Sequence, residues 1–64
     1  MNKQTTNIKE SLTYKLVSEE ARELSWKLQN TIFIIQKGNT LYASMSKDKG
    51  TILSSWSFGN VTNY

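Results

Sequence analysis

Three short runs rich in β-branched and aromatic residues occupy most of the C-terminal half of the chain, and they constrain the fold more than any other feature. These runs, "TIFIIQ", "TLYASMS" and "TILSSWSF", are separated by the turn-like segments "KGN" and "KDKG", and the chain contains no proline that would interrupt them. Consecutive β-hairpins have this signature. The sequence therefore predicts a three-stranded antiparallel meander with strands at 31–36, 40–46 and 51–58.

The two faces of this sheet follow from the alternation of side chains along each strand. If Gly38 and Asn39 form a two-residue turn, one face becomes apolar enough to be covered by a helix. Its residues are Ile32, Ile34, Leu41, Ala43 and Met45. The opposite face then carries Phe33, Ile35 and Tyr42, which is more apolar surface than a solvent-facing sheet usually shows.

The length of the second turn decides which face Trp56 occupies. A three-residue loop would place Trp56 on the outer face, whereas a four-residue loop at 47–50 turns Trp56 and Ile52 toward the helix. Burying these two residues rather than Leu53 and Ser55 gains roughly 2–4 kcal/mol at ~25 cal/mol per Å² of apolar surface. The sequence therefore favours Trp56 in the core.

A helix is expected before the strands, where it can cover their apolar face. The hydroxyl of Ser18 can cap its N-terminus, and Glu19 and Glu20 then lie in the first turn, where the helix dipole favours acidic residues. The predicted helix covers residues 18–29. Its apolar stripe consists of Val17, Ala21, Leu24 and Leu28.

Residues 11–17 allow two interpretations. Apolar and polar residues alternate here, which predicts a strand that leads into the helix and supplies a fourth strand to the sheet. Ile8, Leu12 and Leu16 also fit a helical row with four-residue spacing, so one long helix is the competing interpretation. Residues 1–7 are polar and are expected to be flexible.

These elements predict a single α+β domain at 8–64, in which one helix packs on a small antiparallel sheet. A chain of 64 residues forms only a thin core, and domains of this size usually need disulfides, a metal ion or oligomerisation for stability. The chain has neither cysteine nor histidine. We therefore expect a homodimer, or stabilisation by a protein partner, and neither a cofactor nor a metal ion.

The same composition argues against an enzyme. Without histidine and cysteine, the chain lacks the commonest general base, the commonest metal ligand and the thiol nucleophile. Glu19 and Glu23 lie one helical turn apart, but two carboxylates are too few to hold Ca²⁺. Gly38, Gly50 and Gly59 are too far apart for a phosphate-binding loop. A non-catalytic protein is expected.

The sequence also indicates where in the cell the protein is located. The stretch "MNKQTTNIKESL" has no apolar core of the kind found in secretory signals, and the longest strongly apolar run, at 32–35, is too short to span a membrane. The lack of cysteine is compatible with a reducing compartment. We expect a cytoplasmic protein without membrane association.

The surplus of apolar surface favours a protein-binding module. One helix covers one sheet face, so Phe33, Ile35 and Tyr42 need a second cover from the N-terminal segment, a second copy or a different protein. Trp26 points away from the apolar stripe of the helix, and Arg22, one turn earlier, can stack on its ring. These five residues form the predicted protein interface. The alternative for Trp26 is that the N-terminal or the C-terminal segment of the chain folds over it. Small proteins without catalytic residues are typical accessory or inhibitory proteins, such as those of mobile elements.

A small basic nucleic-acid-binding protein is the alternative function. Single-strand-binding proteins combine exposed aromatics on a sheet with nearby cations, and Lys37, Lys47 and Lys49 lie in predicted turns near the sheet residue Tyr42. The net charge of +3 is mild, however, and the lysines are spread along the chain rather than concentrated in one stripe. The charge therefore permits this function without indicating it.

Overall fold

Residues 11–64 are described by the computed structural model, and they form one helix and four strands. The elements are α1 (Leu12–Lys27), β1 (Ile32–Lys37), β2 (Thr40–Ser44), β3 (Thr51–Ser57) and β4 (Asn60–Asn63). The strands form one antiparallel sheet in the order β2-β1-β3-β4, and α1 packs on β1, β2 and β3. The predicted α+β class, one helix on a small antiparallel sheet, is confirmed.

The helix begins earlier than the sequence suggested. Ser11 caps α1, and its Oγ accepts a hydrogen bond of 3.1 Å from the backbone N–H of Tyr14. The strand predicted for residues 11–17 is therefore wrong, and the competing helical interpretation is right from Leu12 onward. The predicted cap, Ser18, lies inside the helix with its hydroxyl buried and without a hydrogen-bond partner. The expectations for residues 1–7 and for Ile8 lie outside the described residues.

One contact across the helix–sheet interface explains why residues 11–17 belong to the helix. Tyr14 is buried, and its hydroxyl lies 2.6 Å from Oγ of the fully buried Ser54 on β3. In a helix, Tyr14 lies on the same side as Ala21 and Ser25, which are also buried. The alternating pattern had hidden this arrangement, because it grouped Tyr14 with Leu12 and Leu16, both of which are exposed.

The core lies between α1 and the sheet. Its buried cluster consists of Tyr14, Ala21, Ile32, Ile34 and Leu53. The half-buried residues that pack against this cluster are Val17, Leu24, Leu41, Ala43 and Trp56. The predicted apolar sheet face and helix stripe therefore meet as expected, with two exceptions. Met45 lies beyond the end of β2 and Leu28 lies beyond the end of α1, and both are largely exposed.

The first hairpin forms as predicted, but the second does not. Lys37 pairs with Thr40 across the two-residue turn Gly38–Asn39, which joins β1 to β2. β3 does not pair with β2 and instead lies on the other side of β1. This placement gives "TIFII" the central position in the sheet, which suits a strand that is apolar on both faces. A second hairpin joins β3 to β4, so the fourth strand comes from the C-terminal residues and not from the N-terminal segment.

A bulge in β3 decides which residues of this strand face the helix. Trp56 pairs with Ile32 on the helix side of the sheet, so the prediction that Trp56 faces the core is confirmed. The register then shifts at Leu53, which has no partner on β1 and joins the core. Beyond the shift, Ile52 pairs with Ile35 on the outer face. The prediction that Ile52 faces inward is therefore wrong, because the bulge reverses the alternation.

The segment between β2 and β3 covers the outer face of the sheet. β2 and β3 flank β1 and both run antiparallel to it, so residues 45–50 must cross one face of β1. Lys47 Nζ lies 5.6 Å from the ring centroid of Phe33, which points away from the helix side. The crossing segment therefore runs over the outer face, where the sequence had left the apolar surface without an intramolecular cover other than the N-terminal segment.

Candidate functional site

Two aromatic side chains meet at the C-terminal end of α1 and remain accessible to solvent. Trp26 of α1 is 58% exposed, and Phe58, in the turn between β3 and β4, is 47% exposed. Their ring centroids lie 6.2 Å apart with an interplanar angle of 81°, an edge-to-face contact. We call Trp26, Phe58 and Gly59 the Trp26 cluster. Trp26 is therefore mostly exposed, although a turn of the C-terminal segment contacts one part of its ring, as the alternative expectation for Trp26 had it.

The turn that carries Phe58 is held against the helix by specific contacts. Phe58 and Gly59 both have positive φ angles, of 50° and 80°, as a two-residue turn of type I′ requires. The N–H of Gly59 donates to Oγ of Ser25 at 3.0 Å, and that hydroxyl donates to the carbonyl of Arg22 at 2.7 Å. A side chain at position 59 would collide with the indole of Trp26. The Trp26 cluster is therefore ordered by the fold itself.

Arg22 takes a different partner from the one that the sequence suggested. Its guanidinium donates to Glu19 Oε2 at 2.9 Å, so Arg22 pairs along the helix instead of stacking on Trp26. The hydrogen bond to Glu19, followed by the charge of that carboxylate, raises the pKa of Arg22. Both groups are exposed, so this ion pair contributes little to stability. The pair holds one positive and one negative charge in place beside the helix surface that carries Trp26.

The three predicted interface residues of the outer sheet face are partly or fully covered. Ile35 is completely buried, and a Cβ at Gly50 would lie only 2.9 Å from its Cγ2. Phe33 is half-buried beneath Lys47. Tyr42, also half-buried, donates from its hydroxyl to Asp48 Oδ2 at 3.3 Å. The chain therefore provides most of the second cover itself, and these residues form no open apolar platform.

The lysines of the alternative function lie along the same outer face. Lys37 ends β1, and Lys47 and Lys49 lie in the segment that crosses it. The aromatic groups between them are engaged, however, because Tyr42 bonds to Asp48 and Lys47 lies over a phenyl ring. Partial desolvation, and then the negative charge of Asp48, raise the pKa of the Tyr42 hydroxyl. This surface combines cations with an acidic group and lacks freely exposed rings.

A second exposed apolar surface was missed by the sequence analysis. Leu12 is 72% exposed and Leu16 is 63% exposed, and both lie on the side of α1 that faces away from the sheet. The four-residue spacing of these leucines was the available signal, but the strand interpretation of 11–17 assigned them to a buried face. Phe58 and Val61 were missed for another reason, since their exposure depends on a C-terminal hairpin that the sequence did not predict.

The described part of the chain contains no pocket and no cluster of metal-binding side chains. Among residues 11–64, no three acidic groups are placed to hold a metal ion, and this part of the surface has no pocket. Nor does any helix within these residues combine the length and the apolar character that crossing a membrane requires. The features that remain as candidate contact sites are the Trp26 cluster and the outward leucines of α1.

No family model, curated protein or solved structure matches this chain.

Proposed function

We propose that this chain is a small, non-catalytic protein-binding module that contacts its partner through the Trp26 cluster. The observation that carries the proposal is the exposure of Trp26 and Phe58, two large aromatic side chains that the fold orders but does not bury. Ordered, half-exposed aromatics lose little conformational freedom on binding, and Trp is among the residues most enriched at interface hot spots.

The backbone of Phe58 strengthens this argument. A left-handed conformation costs a bulky L residue about 1 kcal/mol, whereas Asn or Gly adopts it at little cost. The ring of Phe58 gains an edge contact with Trp26 but keeps 47% of its surface in solvent. The strained backbone of Phe58 is offset by little burial of its ring within the chain. A contact between this ring and another molecule explains the strain better.

The remaining parts of the proposal follow from composition. A module without histidine or cysteine has few groups for catalysis, and we propose that it acts by occupying a surface of its partner. We place it in the cytoplasm, among accessory or inhibitory proteins such as those of mobile elements. Self-association, contact with a different protein, or both would use the exposed apolar residues.

The experiment compares two exposed apolar residues on different parts of the molecule. Trp26 and Met45 are both 58% exposed, but Met45 lies outside the Trp26 cluster, just after β2. Trp26→Ala, Met45→Ala and the original protein are immobilised and exposed to extract of the host cell, and retained proteins are identified. We expect Trp26→Ala to lose a partner that Met45→Ala keeps.

Thermal unfolding of the same variants separates binding from folding. Trp26→Ala removes one aromatic contact and should cost about 1 kcal/mol of unfolding free energy, while Met45→Ala should cost less than about 0.5 kcal/mol. Equal retention of every protein by both variants would contradict the proposal. A large loss of stability in Trp26→Ala with binding intact would assign Trp26 a structural role only.

Nucleic-acid binding is the second candidate, favoured by the position of Lys37, Lys47 and Lys49 along the outer face of β1. The test is fluorescence anisotropy with a labelled single-stranded oligonucleotide over a range of salt concentrations. Binding that persists at physiological salt, and that weakens in Lys47→Ala and Lys49→Ala, would favour this candidate. Binding confined to low salt would leave the protein-binding module as the better explanation.

A further inference from the structure

One stripe of α1 faces away from the sheet along almost the whole helix. At 100° per residue its members lie within an arc of about 80°, opposite the fully buried Ala21. They are Leu12, Leu16, Glu19, Glu23 and Trp26. All five are exposed, and we call them the outward stripe. The stripe extends from apolar leucines near the N-terminus of α1, through two carboxylates, to an aromatic residue near its C-terminus.

The order of residues along the outward stripe allows two copies of the stripe to match each other when they run antiparallel. When two copies of α1 lie antiparallel, with the twofold axis passing near Glu19, Leu12 of one copy comes to the level of Trp26 of the other. Leu16 lies one turn further along and can contact the same indole from its other side. The apolar ends then cover each other, and each contact occurs twice because the arrangement is symmetric.

The charges beside the stripe agree with the same arrangement. Lys15 of one copy comes to the level of Glu23 of the other, and Arg22 lies beside the central Glu19. A parallel arrangement would instead place every charged residue of the helix beside the same residue of the second copy, where like charges repel. The antiparallel arrangement does this only for Glu19, whose charge Arg22 offsets within each helix. The pattern of charges therefore favours the antiparallel orientation.

We propose that the outward stripe is a homodimer interface, in which two copies of this chain pack their α1 helices antiparallel about an axis near Glu19. The inference rests on the proposed function, since it names a second copy as a partner of the surface that includes Trp26. The contact is one helix wide, which places it at the small end of stable interfaces. We expect a reversible dimer in the micromolar range.

The test uses single cysteine variants, which are unambiguous because the chain has no cysteine. In the antiparallel dimer, Glu19→Cys lies at the axis and should form an intermolecular disulfide on mild oxidation. Leu12→Cys should not, because the two cysteines lie about 21 Å apart along the helices at 1.5 Å per residue. Asn39→Cys, in the exposed turn between β1 and β2, reports the rate of random collisions.

Sedimentation velocity of the original protein and of Leu16→Glu completes the experiment. Leu16 is exposed and lies away from the core, so Leu16→Glu should keep its helical circular dichroism while shifting the protein to monomer. A dimer of the original protein, together with much faster cross-linking of Glu19→Cys than of the other two variants, supports the proposal. A monomer at high micromolar concentration overturns it, and so does cross-linking of Leu12→Cys as fast as that of Glu19→Cys.

Charge reversal provides a second measurement that depends on orientation. Lys15→Glu and Glu23→Lys should each weaken dimerisation by about three- to tenfold, because each affects two symmetric pairs. The double variant should regain most of the lost affinity. The two positions are about 12 Å apart within one helix, so they cannot pair inside a copy, and rescue must come from the second copy. Additive losses in the double variant would contradict the antiparallel arrangement.

The outcomes also separate this inference from the proposed function. If the protein is monomeric but Trp26→Ala loses a host protein that Met45→Ala retains, the homodimer is wrong and the protein-binding module stands. If the chain neither dimerises nor loses a partner on substitution of Trp26, both proposals fail.

Discussion

The hydrogen bond between Tyr14 and Ser54 provides the most direct test of how the helix is attached to the sheet. The two hydroxyl oxygens lie 2.6 Å apart in the core, forty residues apart in the sequence. Tyr14→Phe deletes one partner while keeping the ring, so the apolar contacts of the ring with the core remain. The variant therefore isolates the hydrogen bond from the packing around it.

The expected magnitude follows from the burial of Ser54. Ser54 is fully buried, so its hydroxyl cannot turn to bulk solvent when the Tyr14 hydroxyl is removed. A buried polar group left without a partner costs about 1–3 kcal/mol. In a domain of this size each kcal/mol shifts the melting temperature by roughly 4–8 °C. Tyr14→Phe should therefore lower the melting temperature by about 6–12 °C, with a central loss of about 1.5 kcal/mol.

A double-mutant cycle assigns this loss to the pair. Ser54→Ala leaves the Tyr14 hydroxyl unpaired and should also destabilise the protein by about 1 kcal/mol or more. Removing both hydroxyls leaves neither group unsatisfied, so the double variant should lose about 1 kcal/mol or less. The control is Tyr42→Phe, which removes a longer hydrogen bond of 3.3 Å on the outer face and should cost less than about 0.5 kcal/mol.

Chemical denaturation and thermal unfolding, followed by circular dichroism at one protein concentration, measure all four variants. The concentration must be held constant because the proposed dimer would make the melting temperature depend on it. Equal effects of Tyr14→Phe and Tyr42→Phe would refute the reasoning. So would strictly additive losses in the cycle, since they would show that Tyr14 and Ser54 do not contact each other in solution.

Two further predictions concern the start of the helix and the crossing of the sheet. Ser11→Ala removes the N-cap and should lower the unfolding free energy by about 1 kcal/mol. Ser18→Ala deletes a buried hydroxyl without a partner, so its effect on stability should be neutral or slightly favourable. If denaturation experiments show the reverse order, a helix that begins at Ser18 is favoured. Gly50→Ala should lower the unfolding free energy by about 2 kcal/mol or more, because φ is +141° and the added Cβ would lie 2.9 Å from Cγ2 of Ile35. Gly38→Ala, at φ +62° with open space around it, should lower it by about 1 kcal/mol. Equal losses would mean that residues 45–50 do not lie against β1.

Local signals in the sequence were sufficient for the first hairpin and for the residues of β1 and β2 that face the helix, but not for the core residues Tyr14 and Leu53. A two-residue turn at Gly38–Asn39 sets the register between β1 and β2 without reference to the rest of the chain. The alternation within these strands then determines which residues face the helix. Trp56 was assigned to the correct face, but the energetic reason given for it was wrong. Leu53 and Ser55 are buried, whereas Ile52 and Trp56 are half-buried. The bulge at Leu53, and not the length of a loop, is what turns Trp56 inward.

The order of the strands depends on contacts between distant parts of the chain, and the sequence does not specify them locally. β1 lies between β2 and β3, and this central position suits a strand that is apolar on both faces, because the middle of a sheet is the part most easily covered on both faces. The two-sided apolar character of "TIFII" is visible in the sequence, but the expected cover was the N-terminal segment, a second copy or a different protein, and not residues 45–50. β4 had no signal to find, since "NVTN" is short and polar and becomes a strand by pairing with β3.

The residues that misled the secondary-structure prediction are the ones that now define a candidate interface. Leu12 and Leu16 fitted a buried strand face because the prediction assumed that apolar residues are buried within the chain itself. In the structure they lie on the exposed side of a helix, where that assumption fails. Local patterns and the final fold usually agree, so a disagreement of this kind draws attention to residues that are available for a contact outside the fold, and here those residues are exposed leucines. If the original protein is a dimer and Leu16→Glu folds normally as a monomer, the misassignment of 11–17 and the homodimer share one cause, which is that these leucines are buried between copies.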